Sequence, residues 1–295
     1  MLFDTHKITT DEIKDPLLVA KKIRLQVLRL DKIHPVISGN KLFKLHYFLK
    51  EALLQSQKPI VTFGGAYSNH LVATAYACKN LSIPCKGMVR GEEPFKLSHT
   101  LQACIHFGME LQFLSRENYA QITREGTSNP HCYIIPEGGY HPKGAMGASL
   151  IVDLLPKEKI THICTATGTA TTLAGLLLKA PLFQTIVSIP VLKGFTDTKE
   201  RLHFLTGKEQ YPNLAIWDEY HFGGYAKKTN KLINFMNALY VQNNLPTDFV
   251  YTAKMMFAVI EQVKAGFFPV GSNIVCLHTG GLQGNDSLPG NLLTF

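Results

Sequence analysis

Lys41 is the residue whose surroundings most favour covalent chemistry. It stands in the run Ser38-Gly39-Asn40-Lys41, directly after a small polar turn and at the start of a helix with apolar periodicity. Burial of an amine at such a position lowers its pKa, and a neutral amine can attack an aldehyde to form an imine. The motif taken alone also fits a solvated surface lysine near a helix start.

A threonine-rich turn, Thr165 to Thr172, is a candidate anion-binding site. It follows an apolar strand that ends at Cys164 and precedes an apolar helix. Free backbone N–H groups at a helix start, helped by hydroxyl groups, bind phosphate well. The alternative is a threonine-rich helix cap that binds nothing, but the position between strand and helix favours the phosphate site. The candidate contacts are Thr167, Gly168, Thr169, Ala170 and Thr171.

Two further turns place polar side chains after apolar runs. The segment Tyr67-Ser68-Asn69-His70 begins a helix, and Thr279-Gly280-Gly281 ends a strand near the carboxyl end of the chain. Ser68 and Asn69 are equally explained as a pair of helix-capping residues. Thr279 is equally explained as part of a turn that only ends its strand.

Composition excludes several classes of protein. The net charge is +8, but the basic residues are dispersed and no RNA-binding motif appears, so no nucleic-acid partner is expected. The six cysteines form no C-x-x-C pair and the twelve histidines no metal-binding pair, so we predict free thiols and no metal. The sequence shows neither a signal core nor an apolar run long enough to cross a membrane, so a cytoplasmic protein is expected.

Short apolar runs alternate with amphipathic stretches, which is typical of an α/β protein with parallel strands. Predicted strands cover 60–63, 84–89, 110–113, 132–135, 162–164, 185–189 and 273–277. Predicted helices cover 69–79, 98–107, 144–155, 171–179, 227–242 and 253–265, besides the helix that starts at Lys41.

The segments around Lys41, Ser68 and Thr279 occur in an order that resembles one enzyme family. They resemble the pyridoxal 5'-phosphate (PLP) enzymes of the tryptophan synthase β type (fold type II). The nearest branch holds D-cysteine desulfhydrase and 1-aminocyclopropane-1-carboxylate (ACC) deaminase. The resemblance runs from about Asp31 to Gly284.

The resemblance implies an α/β fold with two open, twisted, mostly parallel sheets flanked by helices. It implies that residues 1–46 and 156–295 form a large PLP-binding domain and that residues 47–155 form a small inserted α/β domain. A homodimer acting on a small-molecule amino acid is implied as well.

The resemblance also implies roles for individual residues. Lys41 would bond covalently to PLP, Asn69 would contact its phenolic oxygen, and the threonine-rich turn would hold its phosphate. Thr279 would face the pyridine nitrogen, where a hydroxyl cannot keep the nitrogen fully protonated as a carboxylate could. The remaining residues would bind the substrate or move protons: Tyr67, Ser68, Asn69 and His70 at the substrate, and Tyr225 and Tyr251 as proton carriers.

The implied reaction is β-elimination. Lys41 would remove the α-proton, a β-substituent such as sulfide would leave, and hydrolysis would give pyruvate and ammonia. The deaminase branch carries an acidic residue and a leucine where this chain has Thr252 and Thr279, which favours D-cysteine desulfhydrase-like chemistry. Phe43 and Tyr67 depart from the usual arginine and glutamine of the family.

Three alternatives remain open at this stage. The first is ACC deaminase activity, and the second is a PLP-binding protein without useful turnover. The third is a nucleotide-binding α/β protein that uses the threonine-rich turn. No G-x-x-x-x-G-K-[ST] or G-x-G-x-x-G run supports the third.

Overall fold

The computed structural model describes residues 4–34, 39–55, 58–125 and 130–295, so Ser38 of the Lys41 motif lies outside the described residues. The strands are β1 (Thr10–Glu12), β2 (Arg24–Arg29), β3 (Ile60–Gly64), β4 (Cys85–Arg90), β5 (Met109–Leu114), β6 (Tyr133–Ile135), β7 (His162–Thr167), β8 (Thr185–Pro190), β9 (Leu214–Ile216) and β10 (Asn273–His278). The helices are α1 (Pro16–Lys21), α2 (Lys41–Leu54), α3 (Asn69–Leu81), α4 (His99–His106), α5 (Arg116–Glu125), α6 (Pro142–Ser149), α7 (Thr171–Lys179), α8 (Thr198–Thr206), α9 (Asn230–Asn243) and α10 (Thr252–Ala265).

The strands form two sheets. One has six strands in the order β1-β2-β10-β7-β8-β9, and the other has four in the order β5-β4-β3-β6. All neighbouring strands are parallel except β1, which is antiparallel to β2. Central strands such as β10 are apolar on both faces because helices cover both sides of a parallel sheet. The predicted fold class, with two mostly parallel sheets flanked by helices, is confirmed.

Every predicted strand forms, but β1, β2, β9, α1, α5 and α8 were not predicted. β1 and β9 have three residues each, too few to show a period. The predicted helix 144–155 was wrong in its bounds, since α6 ends at Ser149 and a 3₁₀ turn follows over Leu150–Leu154. The helix predicted from Ser98 begins one residue later, because the Ser98 hydroxyl accepts a hydrogen bond from Leu101 N–H at 3.2 Å and so caps the helix.

Small residues let α2, α6 and α7 pack closely. A Cβ on Gly147 of α6 would lie 2.1 Å from the carbonyl oxygen of Phe43 in α2. A Cβ on Gly175 of α7 would lie 2.6 Å from Cβ of Ala148 in α6. Neither contact is sterically possible with a larger residue, so these glycines fix the helix that begins at Lys41 relative to α7.

The four-stranded sheet lies within residues 60–135 and the six-stranded sheet uses strands on both sides of that segment. Helix α2 crosses the predicted boundary between residues 46 and 47, and the division into 1–46 with 156–295 and 47–155 stays a prediction. In the described ranges, every helix is too short or too polar to span a bilayer.

Candidate active site

Strands of both sheets end at a cavity of about 610 Å³. The carboxyl ends of β3, β4, β7 and β10 lie at its edge, which is where open parallel sheets bind ligands. Every site residue predicted from the sequence lines this cavity. They are Lys41, Tyr67, Ser68, Asn69, His70, Thr167, Gly168, Thr169, Ala170, Thr171, Tyr225, Tyr251 and Thr279.

Lys41 is the first residue of α2, and its amine donates a hydrogen bond to the Asn40 side-chain oxygen at 2.7 Å. Burial lowers the pKa of Lys41 to about 8, and the Asp248 carboxylate opposes that shift. A sizeable fraction of the amine is therefore neutral in mildly alkaline solution.

Gly39 and Asn40 fix the position of Lys41. Gly39 has φ +82°, and a Cβ there would lie 1.8 Å from the carbonyl oxygen of Thr279, so only glycine fits. The Asn40 side-chain amide donates to the Thr172 hydroxyl at 2.7 Å. The start of α2 is therefore joined both to the end of β10 and to the start of α7.

The start of α7 has the features of an anion site. Ala170 precedes the helix with φ +63°, a strained value for a residue with a Cβ, and no side chain caps the first N–H groups. The hydroxyls of Thr169 and Thr171 are 3.0 Å apart beside it. Uncapped N–H groups at a helix start attract a negative charge.

Lys44 follows Lys41 by one helical turn and lines the same cavity, although it is only 5% exposed. Burial, reinforced by the charge of Lys41, lowers the pKa of Lys44 well below its usual value. No hydrogen bond or ion pair to Lys44 occurs among the described side chains. An anion bound nearby would compensate the cost of burying this amine.

The start of α3 is capped by a side chain of its own N-cap residue, Ser68. The Ser68 hydroxyl oxygen accepts a hydrogen bond from Leu71 N–H at 3.3 Å, which leaves its O–H free to donate to a ligand. The Asn69 side-chain oxygen accepts from Gln283 at 2.7 Å. A Cβ on Gly281 would lie 3.0 Å from the Asn69 side-chain nitrogen, so this turn also depends on glycine.

His70 is buried in the wall of the site, whereas Tyr67 is exposed at its mouth. His70 is 2% exposed, and its ring is 2.9 Å from the Thr62 hydroxyl. Burial and the charges of the two lysines lower the pKa of His70 to about 3, so the ring stays neutral. Tyr67 is 55% exposed at the mouth, with its ring 5.8 Å from that of His99. Their predicted contacts with substrate stay predictions.

Tyr225 and Tyr251 face each other with ring centroids 6.1 Å apart. Burial raises the pKa of both phenols, so both are proton donors at neutral pH. Lys254, which is fully buried, holds the loop before Tyr225 by donating to the carbonyl oxygens of His221 at 2.9 Å and Gly224 at 2.7 Å. Tyr225 therefore depends on a lysine of α10 for its position.

Thr252 does not line the cavity. It is fully buried, and its hydroxyl donates to the Asp248 carboxylate at 2.6 Å. The same carboxylate accepts from the backbone N–H groups of Tyr251 and Thr252, each at 2.8 Å. Thr252 is thus part of the cap that starts α10, and it cannot discriminate between substrates by direct contact.

Sequence reasoning did not single out several lining residues, namely Arg90, Glu137, Arg201 and Lys44 as a binding group. Lys44 could have been found from its spacing, since residues three apart share a helix face. Arg90 directly follows the strand predicted over 84–89 and is the last residue of the observed β4, but its approach to the site requires the order of strands in the sheet. In the described ranges, no group of three or more histidine, cysteine and acidic residues is placed to hold a metal ion.

The fold and the site define a fold type II PLP enzyme: two mostly parallel sheets meet at a cavity lined by a lysine and an uncapped helix start. The family model for pyridoxal-phosphate dependent enzymes matches residues 9–280. The chain belongs to this family, and its cofactor is PLP.

Several individual proteins are similar to this chain over most of its length. A Pyrococcus abyssi protein, provisionally named a 1-aminocyclopropane-1-carboxylate deaminase, is 29% identical and covers 84% of this chain and 81% of its own length. A Serratia proteamaculans D-cysteine desulfhydrase is 24% identical and covers 86% of each chain. A crystal structure of an ACC deaminase homologue has a TM-score of 0.80 at 25% identity and covers 97% of this chain and 92% of its own. Dictyostelium discoideum serine racemase, with a TM-score of 0.63 and 16% identity, covers 93% and 91% and shares the fold.

Proposed function

We propose that this chain is a PLP-dependent lyase that eliminates a β-substituent from a small amino acid, with D-cysteine desulfhydrase-like release of pyruvate, ammonia and sulfide as its main reaction. The observation that carries the proposal is the Lys41 amine. Its pKa is lowered to about 8, and it lies between the end of β10 and the start of α7.

The residues around the cavity suit PLP. Lys41 supplies the amine that bonds to the aldehyde. The uncapped start of α7, the Thr169 and Thr171 hydroxyls and the unpaired Lys44 amine suit a phosphate group. Thr279, 7% exposed at the cavity wall, suits the ring nitrogen, and Asn69 suits the phenolic oxygen.

When bound, PLP supplies an aldehyde for the substrate amine and a conjugated ring that withdraws electrons from the α-carbon. The Lys41 amine, neutral in part, accepts the α-proton. The Ser68 hydroxyl and the start of α3 hold the substrate carboxylate. Tyr225 and Tyr251, with raised pKa values, donate protons rather than accept them unless a cation lies beside them.

The choice between sulfide elimination and cyclopropane opening rests on Thr279. A hydroxyl at the ring nitrogen weakens electron withdrawal and suits a short-lived carbanion with a good leaving group. Thr252 no longer supports this choice, since its hydroxyl is bound to Asp248. Relatives carry both names, so ACC deamination is kept as the second candidate.

A product assay separates these candidates. Purified protein loaded with PLP is supplied with D-cysteine, L-cysteine and ACC in turn. Pyruvate with sulfide from D-cysteine supports the proposal, whereas 2-oxobutanoate from ACC alone supports the second candidate. Bound PLP without release of either product would favour a PLP-binding protein. Thr279→Leu should reduce sulfide release, and unchanged release would contradict its role at the ring nitrogen.

We also propose that the enzyme works in the cytoplasm as a homodimer. This proposal is supported by the family resemblance. Light scattering of the purified protein at several concentrations tests the dimer, and a mass near 32.8 kDa throughout would contradict it.

A further inference from the structure

Four cationic side chains line the cavity: Lys41, Lys44, Arg90 and Arg201. Three of these four already have an assigned role or an ion-pair partner. Lys41 bonds to PLP, and Lys44 suits the phosphate. Arg201 is already paired, with its guanidinium 2.7 Å from the Asp197 carboxylate. Arg90 is left over.

Arg90 ends β4 and lies over the turn that leads into α3. β4 is parallel to β3, with Val89 opposite Gly64. A Cβ on Gly65 would lie 3.5 Å from a guanidinium nitrogen of Arg90. Since the same turn carries Ser68, the arginine borders the end of the cavity assigned to the amino-acid substrate rather than to the phosphate.

A buried aromatic ring supports Arg90 from one side. The guanidinium carbon is 5.4 Å from the centre of the Tyr119 ring, and Tyr119 is only 2% exposed. Stacking of a guanidinium on an aromatic face leaves its N–H groups free to bind an anion at the edge. Arg90 itself is exposed, so its N–H groups are accessible from the cavity.

No carboxylate lies within 4 Å of the Arg90 guanidinium among the described side chains. Glu137 lines the same cavity but forms no ion pair with it within 4 Å. PLP phosphate and a substrate α-carboxylate account for the starts of α7 and α3. The cavity therefore offers one more positive group than PLP and a neutral amino acid would use.

We propose that Arg90 is a specificity residue that binds a second negative group on the substrate side chain. The preferred substrates are then small amino acids with an anionic β-substituent. This inference rests on the proposed function and narrows its substrate class.

Atoms and electrons balance when such a substituent is eliminated. The α C–H bond breaks and its proton goes to the Lys41 amine. The bond from the β-carbon to the substituent breaks, and its electron pair leaves with the anion as a double bond forms between the α- and β-carbons. Water then hydrolyses the released enamine to pyruvate and ammonia.

Cysteine and S-sulfocysteine form a suitable test pair, because both leave through sulfur and only the second carries a sulfonate. The kcat/KM of the PLP-loaded enzyme is measured for both, in both enantiomers, for wild type, Arg90→Gln and Arg116→Gln. Arg116 is exposed on α5 and does not line the cavity, so its variant removes the same charge elsewhere.

The Arg90→Gln variant should lose about 10- to 100-fold in kcat/KM for S-sulfocysteine, as expected when a charge-assisted hydrogen bond is lost. Its value for cysteine should change less than about threefold. Arg116→Gln should match wild type on both substrates. Equal losses on both substrates, or no difference between the two variants, would overturn the inference.

If the proposed function is wrong, the results differ from those expected if only the role of Arg90 is wrong. If no amino acid is consumed by wild type, calorimetric titration of the PLP-loaded protein with S-sulfocysteine still tests Arg90. Weaker binding to Arg90→Gln than to Arg116→Gln would support the anion site without turnover. Equal binding, or none to wild type, would reject it.

Discussion

Lys41 and Lys254 are two lysines with lowered pKa values in different surroundings. Burial lowers the pKa of each to about 8, and the Asp248 carboxylate opposes the shift in both. Lys254 is fully buried and donates to two backbone carbonyl oxygens. Lys41 lines the cavity and is bound by the Asn40 side chain.

A lowered pKa does not by itself identify a nucleophilic lysine. A nucleophilic amine needs a free approach for its lone pair. The carbonyl oxygens around Lys254 favour its protonated form and surround it. The amine of Lys41 faces a cavity in which an aldehyde fits, so only Lys41 combines a neutral form with access.

Replacing Lys41 should have the largest effect. Lys41→Ala removes the amine that bonds to PLP and accepts the α-proton, so turnover should fall at least about 1000-fold. The thermal unfolding midpoint should change little, since the lost side chain borders a cavity. Turnover is followed as pyruvate release, and an active Lys41→Ala variant would reverse the assigned roles of the two lysines.

Gly39 tests how closely Lys41 must be positioned. Gly39→Ala would place a Cβ 1.8 Å from the Thr279 carbonyl oxygen, so β10 and α2 must separate, and activity should fall about 100-fold. Gly271→Ala is the matched control, because Gly271 has a similar φ of +83° but no atom within 4 Å of the added Cβ.

The control should cost only the strain of a positive φ, about 1 kcal/mol, with activity retained. Urea unfolding and pyruvate release measure both variants. Equal behaviour of the two alanine variants would show that the contact with Thr279 does not position Lys41.

Lys254 should affect turnover because it positions the loop before Tyr225. Lys254→Met removes both hydrogen bonds to the loop before Tyr225, so kcat should fall about tenfold while PLP still binds. Lys264→Met is the control, because Lys264 is exposed on the same helix and, among the described side chains, pairs with Glu261 alone. Loss of PLP absorbance in Lys254→Met would contradict a purely positioning role.

The stability of the folded protein should also depend on pH. In the folded protein Lys41 and Lys254 lose their protons near pH 8, whereas in the unfolded chain they keep them to about 10.5. The unfolded state therefore binds more protons between these values, and stability rises with pH.

Urea unfolding of the protein without PLP at pH 7.5 and 9.5 measures this rise. Lys254→Met should show a smaller rise than wild type, and Lys264→Met should match wild type. A rise of the same size in Lys254→Met and wild type would mean that Lys254 keeps its usual pKa.

Sequence patterns predicted the parts of the site that are local. The turn before Lys41, the threonine-rich start of α7 and the Ser68 cap each lie within one short segment, so residue type and spacing indicate them. The place of Thr252 beside Tyr251 does not reveal that the start of α10 directs its hydroxyl to Asp248 and away from the cavity.

The parts that depend on long-range contacts could not be predicted. Arg90 reaches the site only because β4 lies beside β3 in the small sheet. Lys254 reaches the Tyr225 loop across 30 residues of chain, and no periodic pattern links them. β1 and β9 form because neighbouring strands offer an edge, which three-residue segments do not signal.

Borohydride reduction of the PLP-loaded enzyme, followed by peptide mass mapping, identifies the lysine that bonds to PLP. Reduction fixes PLP to whichever lysine carries it. We expect one modified peptide, with the added mass on Lys41 and none on Lys44 or Lys254. A modified Lys44 or Lys254, or no modified lysine in protein that contains PLP, would contradict it.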